Sequence, residues 1–362
     1  MRILYIINSM KMGGAEKLLV DLLPSMAEKG IHCELLVLNG SDTPLLQQLK
    51  ASGITMTSLD SGSVYNPAHI FRILPHLSRF DLIHTHLFPT LYWVAMARIL
   101  SRAKAKFVYT EHSVSNRRRD KWLFTLCDKI LYKRYDRIVS IAHEADRKLK
   151  AHLKFDARRF SVVPNGIPVK AFSDALPYPK QDFFSQGDYL IIQVSSFRYP
   201  KDQQTLIKAL SRLPGHFKLL LVGEGGLRGE CERLVSTLGI TDSVQFLGNR
   251  SDVPRLLKTC DAVVLSSHYE GLSLSSIEGM SSGKPFLASD VPGLSEVVKG
   301  AGLLFEDGND VQLADQLLKL EQDPLLTAKV VSNCQERASE FDISNTVDGY
   351  FHIYRNLLNR TV

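Results

Sequence analysis

Apolar residues come in short unbroken runs, and between the runs they recur every three or four positions. The runs 2–7 (RILYII), 33–38 (CELLVL), 54–58, 81–84 (DLIH), 106–110 (KFVYT), 137–141 (RIVSI) and 160–163 (FSVV) read as strands. The stretch 15–29 (AEKLLVDLLPSMAEK), closed by Gly30, reads as an amphipathic helix, as do segments near 44–51, near 67–78 and over 89–101. Strand and helix in alternation build right-handed βαβ units on a parallel sheet. From Pro164 to Gly187 there are four prolines and little apolar periodicity, the pattern of a connection. The alternation then resumes, with strands at 189–195 (YLIIQVS), 217–222 (FKLLLV), 244–247 (VQFL), 262–266 (AVVLS) and 285–288 (PFLA), and a terminal helix at 345–358. The expectation is α/β: two Rossmann-like, doubly wound domains facing across a cleft. The first covers 1–170, a linker 171–187, the second 188–344, and a last helix 345–362.

Composition narrows this picture. At 362 residues, 44% hydrophobic and 23% charged, the chain has the make-up of a globular protein with about two domains. A collagenous, disordered or disulfide-stapled protein is excluded. Five widely spaced cysteines without a CxxC pair read as reduced thiols of a cytoplasmic protein. The opening MRILYIINSM is interrupted at Asn8 and Lys11, so it reads as a buried strand and not as a secretion signal. The net charge of +6 hides an imbalance: residues 102–159 hold 17 Lys/Arg and 7 Asp/Glu, an excess of +10, leaving −4 for the rest. Within it, Arg117-Arg118-Arg119-Asp120-Lys121-Trp122-Leu123-Phe124 mixes cations with aromatic residues. The expected partner is an anionic membrane surface, with peripheral attachment at the inner face; a solvated face is the plain alternative. No recognition motif accompanies the charge, so no nucleic acid is expected.

Ligands of open parallel sheets sit beyond the carboxyl ends of the strands, and three such loops carry chemistry. Gly13-Gly14 leads into the first helix, reading equally as a phosphate site or as a tight turn needing positive φ. Arg198 and Lys201 follow the strand 189–195 beside a helix capped by Asp202. Guanidinium and ammonium there suit a diphosphate, or are two solvated cations. In 261–285 a buried strand leads to a loop with Glu270 and Gly271, then to a helix starting near Ser273 or Ser275 and ending by Gly283. Glu278 lies eight residues beyond Glu270, so two carboxylates flank a serine-rich helix start, placed to accept hydrogen bonds from sugar hydroxyls. The turn after 217–222 places Gly223 and Gly225 like a dinucleotide fingerprint but has Arg228 where a third glycine is needed. His84 and His86 share a strand face without a third metal ligand, and read as a polar turn.

The pair Glu270 and Glu278, inside EGLSLSSIEGMSSGKPFLASD, resembles the Glu-x7-Glu signature of retaining glycosyltransferase family 4. The family's pattern is also matched by Gly13-Gly14-Ala15-Glu16, Thr110-Glu111-His112, Val163-Pro164-Asn165-Gly166-Ile167, Arg198 with Lys201, Val222-Gly223-Glu224-Gly225, Phe246-Leu247-Gly248 and Asp290-Val291-Pro292-Gly293, in order from residue 3 to about 345. The resemblance implies the GT-B fold, with donor contacts in the second domain, acceptor contacts in the first, and the last helix crossing back to the first. It places Glu278 on the nucleotide ribose, Glu270 on the donor sugar, and Arg198 and Lys201 on the diphosphate. Gly13, Gly14, Gly223, Gly225, Gly271, Leu272 and Ser273 fall along the donor, and His112 near the sugar. His86 and Asn165 belong to the acceptor side, and the catalytic set is His112, Glu270, Arg198 and Lys201. The sequence departs from the family at Ser-Phe-Arg, where Gly-Arg-Leu is usual before the lysine. The implied reaction moves sugar from a nucleotide-sugar, by family frequency a UDP-sugar, with retention, to a polysaccharide, lipid-linked or glycolipid acceptor. The absence of any Asp-x-Asp pair fits a site without metal or other cofactor, its cations holding the leaving group. The alternatives are a nucleotide-sugar 2-epimerase on the same architecture and a non-catalytic scaffold.

Overall fold

Strands form where leucine, isoleucine and valine run without interruption, because a strand covered by helices on both faces has no polar side. The computed structural model describes residues 1–11, 13–112, 121–271 and 273–358. It divides into two compact units, Met1–Gly166 with Ile343–Val362, and Ile167–Asp342.

The first unit opens with β1 (Arg2–Ile7), α1 (Gly14–Glu28), β2 (His32–Asn39), α2 (Pro44–Ala51), β3 (Thr55–Asp60), α3 (His69–Leu77) and β4 (Leu82–His86). It continues with α4 (Thr90–Leu100), β5 (Lys106–Glu111), α5 (Trp122–Leu131), β6 (Arg137–Ser140), α6 (His143–Leu153) and β7 (Phe160–Val162). The strands pair in parallel in the order β3-β2-β1-β4-β5-β6-β7. The order reverses between β1 and β4, which opens a crevice at their carboxyl ends. Asn8 fastens the two loops there: its Nδ2 donates to the Phe88 carbonyl at 2.7 Å and its Oδ1 accepts from the Thr90 N–H at 3.3 Å.

The second unit runs α7 (Val169–Ser173), β8 (Tyr189–Val194), α8 (Gln203–Leu210), β9 (Phe217–Val222), α9 (Arg228–Thr237), β10 (Val244–Gly248) and α10 (Val253–Thr259). Then come β11 (Ala262–Leu265), α11 (Leu274–Ser281), β12 (Phe286–Ser289), α12 (Ser295–Val298), β13 (Leu303–Phe305), α13 (Asp310–Gln322) and α14 (Pro324–Ser339). Its parallel sheet has the order β10-β9-β8-β11-β12-β13, reversing between β8 and β11. The strand β13 was not expected; three residues, LLF, are too few to show a pattern.

The helix α15 (Ile343–Leu357) belongs to the first unit. It buries Ile343, Val347, Tyr350 and Tyr354, a stripe at helical spacing, in the core that α1 also lines. Its two tyrosines meet polar groups of the sheet. His84 Nδ1 lies 2.6 Å from the Tyr354 hydroxyl and His84 Nε2 lies 2.7 Å from Thr110 Oγ1, which is itself 3.1 Å from the Tyr350 hydroxyl.

The linker expected over 171–187 is corrected: the segment lies in the second unit, whose boundaries fall after Gly166 and after Asp342. The prolines there mark turns, but Tyr178, Phe183 and Phe184 between them pack on the second unit's core. Lys180 Nζ adds a bond of 2.6 Å to Asp261.

Tyr354→Phe strips the buried His84 Nδ1 of its hydroxyl partner. The expected loss is about 1–3 kcal/mol, read as a lowered urea midpoint at neutral pH.

Candidate active site

The loops after β8 and β11 are neighbours because their strands are. Lys201 and Ser267 form an isolated backbone bridge, the His268 N–H donates to the Pro200 carbonyl at 2.9 Å, and the Asp202 N–H to the Ser266 carbonyl at 3.2 Å. Beneath the bridge, Gln193 and Gln203 both donate to Ser195 Oγ at 2.9 Å, and Ser266 Oγ donates to Gln193 Oε1 at 2.8 Å. Buried amides and hydroxyls satisfied in this way fix the loops. Above them the Lys201 ammonium pairs with the Glu270 carboxylate, both largely shielded from solvent. Arg198 is exposed on the same loop, its Nε 3.1 Å from Ser196 Oγ, and Asp202 caps α8 by accepting from the Thr205 N–H at 3.2 Å.

Glycines let these loops touch through bare backbone. Gly223 has φ 135°, and a β-carbon there would strike the Ser195 carbonyl. Gly293 has φ 87°, and a β-carbon there would strike the carbonyl of Glu270. Gly225 lies equally close to the Phe197 carbonyl, and Gly271 to Gly293. Past the Glu270 loop, Ser273 precedes α11, and Glu278 is the fifth residue of that helix, buried at 3% exposure. Leu272 lies outside the described residues, as does the stretch 113–120 with Arg117, Arg118 and Arg119.

The remaining expected residues lie in the first unit. Gly13 is extended, φ −169°, and Gly14 opens α1, so the tight turn with positive φ is not the form taken. Nothing lies within 4 Å of where a Gly14 β-carbon would be. His86 ends β4 and is fully buried, its Nδ1 2.9 Å from Nε2 of His112 just past β5. His86 Nε2 and His112 Nδ1 are buried without a hydrogen-bond partner among the described residues, as is Oδ1 of Asn165, beyond β7. Burial depresses both imidazoles: His112 falls to about 4, and His86 falls well below the usual range, with His84 and His112 adding to the effect. His84 and His86 do share a face, with ring centroids 4.2 Å apart, but both His84 nitrogens are taken by hydroxyls.

Sequence reasoning missed Gln193, Gln203 and Ser266, which only the folded loops bring together. It also missed the cluster Asp202, His268 and Asp307. There His268 sits between two carboxylates, Nδ1 2.9 Å from Asp307 and Nε2 3.9 Å from Asp202.

A family model described as Glycosyltransferase Family 4 matches residues 12–171, and one described as Glycosyl transferases group 1 matches 177–340. The chain belongs to glycosyltransferase family 4. As a family 4 glycosyltransferase it is similar to the N-acetyl-alpha-D-glucosaminyl L-malate synthase of Bacillus anthracis, 32% identical over 51% of this chain and 50% of that protein. It is also similar to the UDP-Gal:alpha-D-GlcNAc-diphosphoundecaprenol alpha-1,3-galactosyltransferase of Escherichia coli, 24% identical over 77% and 76%. Among solved structures, Anabaena HepE in complex with UDP and glucose superposes with a TM-score of 0.85 at 22% identity, covering 98% of this chain and 100% of that one. The fold of this glycosyltransferase is GT-B, with two Rossmann-like units.

The buried imidazoles make the glycosyltransferase acid-sensitive. His112 is neutral when folded down to about pH 4, whereas an unfolded histidine takes its proton near 6.5. The unfolded chain therefore binds more protons between those values, so this contribution is present above 6.5 and lost as pH falls through 4. Urea midpoints measured from pH 7 downward are expected to decline, and His112→Gln to flatten the decline.

Proposed function

We propose that this glycosyltransferase moves a sugar from a UDP-sugar to a polysaccharide, lipid-linked or glycolipid acceptor with retention of anomeric configuration, its own cations holding the leaving diphosphate. The observation that carries the reading is the Lys201–Glu270 pair where the strand order of the second sheet reverses, with Arg198 on one loop and Glu278 on the helix after the other. The names of relatives supply the substrate class: the Escherichia coli protein is named for UDP-Gal and a diphosphoundecaprenol-linked sugar, and HepE was solved with UDP and glucose.

In the free protein Lys201 neutralises Glu270. A diphosphate draws the ammonium to itself, and the freed carboxylate turns to the sugar's hydroxyls, so one ion pair is exchanged for two substrate contacts. Arg198 adds a forked donor to the same phosphates, and Glu278 accepts from the ribose hydroxyls. The bond between the anomeric carbon and the β-phosphate oxygen breaks, negative charge grows on the diphosphate, and fixed cations stabilise it. The acceptor oxygen attacks the same face, and its proton passes to the departing phosphate, giving the glycoside and free UDP. In the first unit, neutral His112, whose Nδ1 has no partner among the described residues, is the candidate group for a sugar hydroxyl, with His86 and Asn165 as acceptor-side groups.

A ligand that binds only the folded form raises its melting temperature. Among UDP-, GDP- and ADP-sugars, the UDP-sugar is expected to give the largest shift, and Glu278→Gln to abolish it. Lys201→Ala is expected to lower kcat/KM by roughly 100-fold or more, with EDTA leaving the wild-type rate unchanged. An inverted product, or a new nucleotide-sugar isomer formed without acceptor, rules the reading out.

A further inference from the structure

Helix α5 carries its acid inward and its large apolar side chains outward. Asp128 is fully buried, accepting from the Tyr92 hydroxyl at 2.6 Å and lying 3.0 Å from His152 Nε2. On the opposite side Trp122, Leu126 and Ile130, four residues apart, form one stripe flanked by Leu123. Their exposures are 78%, 51%, 48% and 54%. At the end of α4, Ile99 and Leu100 are exposed too, and the adjacent Arg98 donates to the Arg134 carbonyl in the turn after α5. Six of the thirteen exposed large hydrophobic residues among those described thus fall between residues 99 and 130. Grouping of that kind marks a contact surface.

The charge around the stripe says what covers it. Lys121, Lys129, Lys133 and Arg134 are exposed along α5 and the turn after it. The acids of the same stretch, Asp128 and Asp136, are taken up by His152 and Arg98. A second copy of the chain would set this face against itself, cation against cation. Apolar side chains with a tryptophan among lysines and arginines instead suit the boundary between headgroups and acyl chains of an anionic bilayer.

We propose that the outer face of α5, with the end of α4, docks the protein on an anionic phospholipid bilayer, Trp122, Leu123, Leu126 and Ile130 entering among the headgroups and the four cations lying along them. The surface shares no residue with the candidate active site and stands whether or not the donor reading holds.

The test is co-sedimentation of the full chain with vesicles of phosphatidylcholine mixed with phosphatidylglycerol, and with vesicles of phosphatidylcholine alone. Binding is expected to the mixed vesicles at low salt, with the bound-to-free ratio falling about tenfold or more in high salt, in Trp122→Ser/Leu126→Ser, or in Lys129→Glu/Lys133→Glu. The replaced side chains are exposed, and an unchanged melting temperature confirms that each variant folds. With Trp93→Phe leaving Trp122 as the one tryptophan, its emission is expected to shift to the blue on vesicle addition. No pelleting with phosphatidylglycerol at low salt overturns the proposal, as does equal pelleting of wild type and Trp122→Ser/Leu126→Ser. A lipid-free dimer that this double variant dissolves, seen by light scattering, assigns the face to a second copy and overturns it as well.

Discussion

Backbone packed on backbone, with no side chain between, is the constraint on which the second unit's site depends. Gly223 lies under the loop that carries Arg198 and Lys201, and Gly293 lies under the loop that carries Glu270. Any β-carbon at either position would push its loop outward. The reversal of strand order between β8 and β11 brings the two loops side by side, and the glycines decide how closely they settle. The buried amides of Gln193 and Gln203 then lock that arrangement from below. The two loops that carry the cation and the carboxylate are thus fixed before any ligand arrives, so only the two side chains at their tips have to change partners.

The first unit solves the same problem with buried hydroxyls. A histidine removed from water must find partners for both nitrogens or carry the cost of an unpaired polar atom. For His84 those partners come from Tyr354, on a helix 270 residues away in the chain, and from Thr110 on the adjoining strand. The terminal helix is therefore part of the polar layout at the carboxyl edge of this sheet as well as a cover for its core. His86, next on the same face, has His112 as its one hydrogen-bond partner among the described residues and keeps one nitrogen open. Neutral imidazoles at this edge can each donate or accept, a flexibility suited to hydroxylated ligands.

Much of this was legible in the sequence, for identifiable reasons. Buried parallel strands announce themselves as unbroken apolar runs, and the segment 266–278, with one acid in its loop and one in the helix after it, stood out because its residue types and spacing are local. The segment 171–187 was misread because prolines dominate its composition, whereas Tyr178, Phe183 and Phe184 decide its packing. Gly13-Gly14 could not be resolved between turn and ligand approach, since either use asks for glycine; its extended and helical backbone rules out the turn with positive φ. The pairing of His86 with His112 and the Gln193 network join residues on different strands and loops, and no periodicity within one segment reports on that.

The orientation of α5 shows the same limit in energetic form. Both of its faces are apolar: Phe124, Cys127 and Leu131 pack inward, while Trp122, Leu126 and Ile130 point out. Exposing one such side chain forgoes about 1.5–3 kcal/mol, so hydrophobicity alone leaves the two orientations close in free energy. Asp128 breaks the tie, because Tyr92 and His152 await it on the inside, and a carboxylate deprived of partners in the interior would cost several kcal/mol. The helix is therefore held with an apolar stripe facing water by an interaction that has nothing to do with that stripe. Such a stripe is a standing expense unless some other surface covers it, and the cations that flank it restrict that surface to one carrying negative charge.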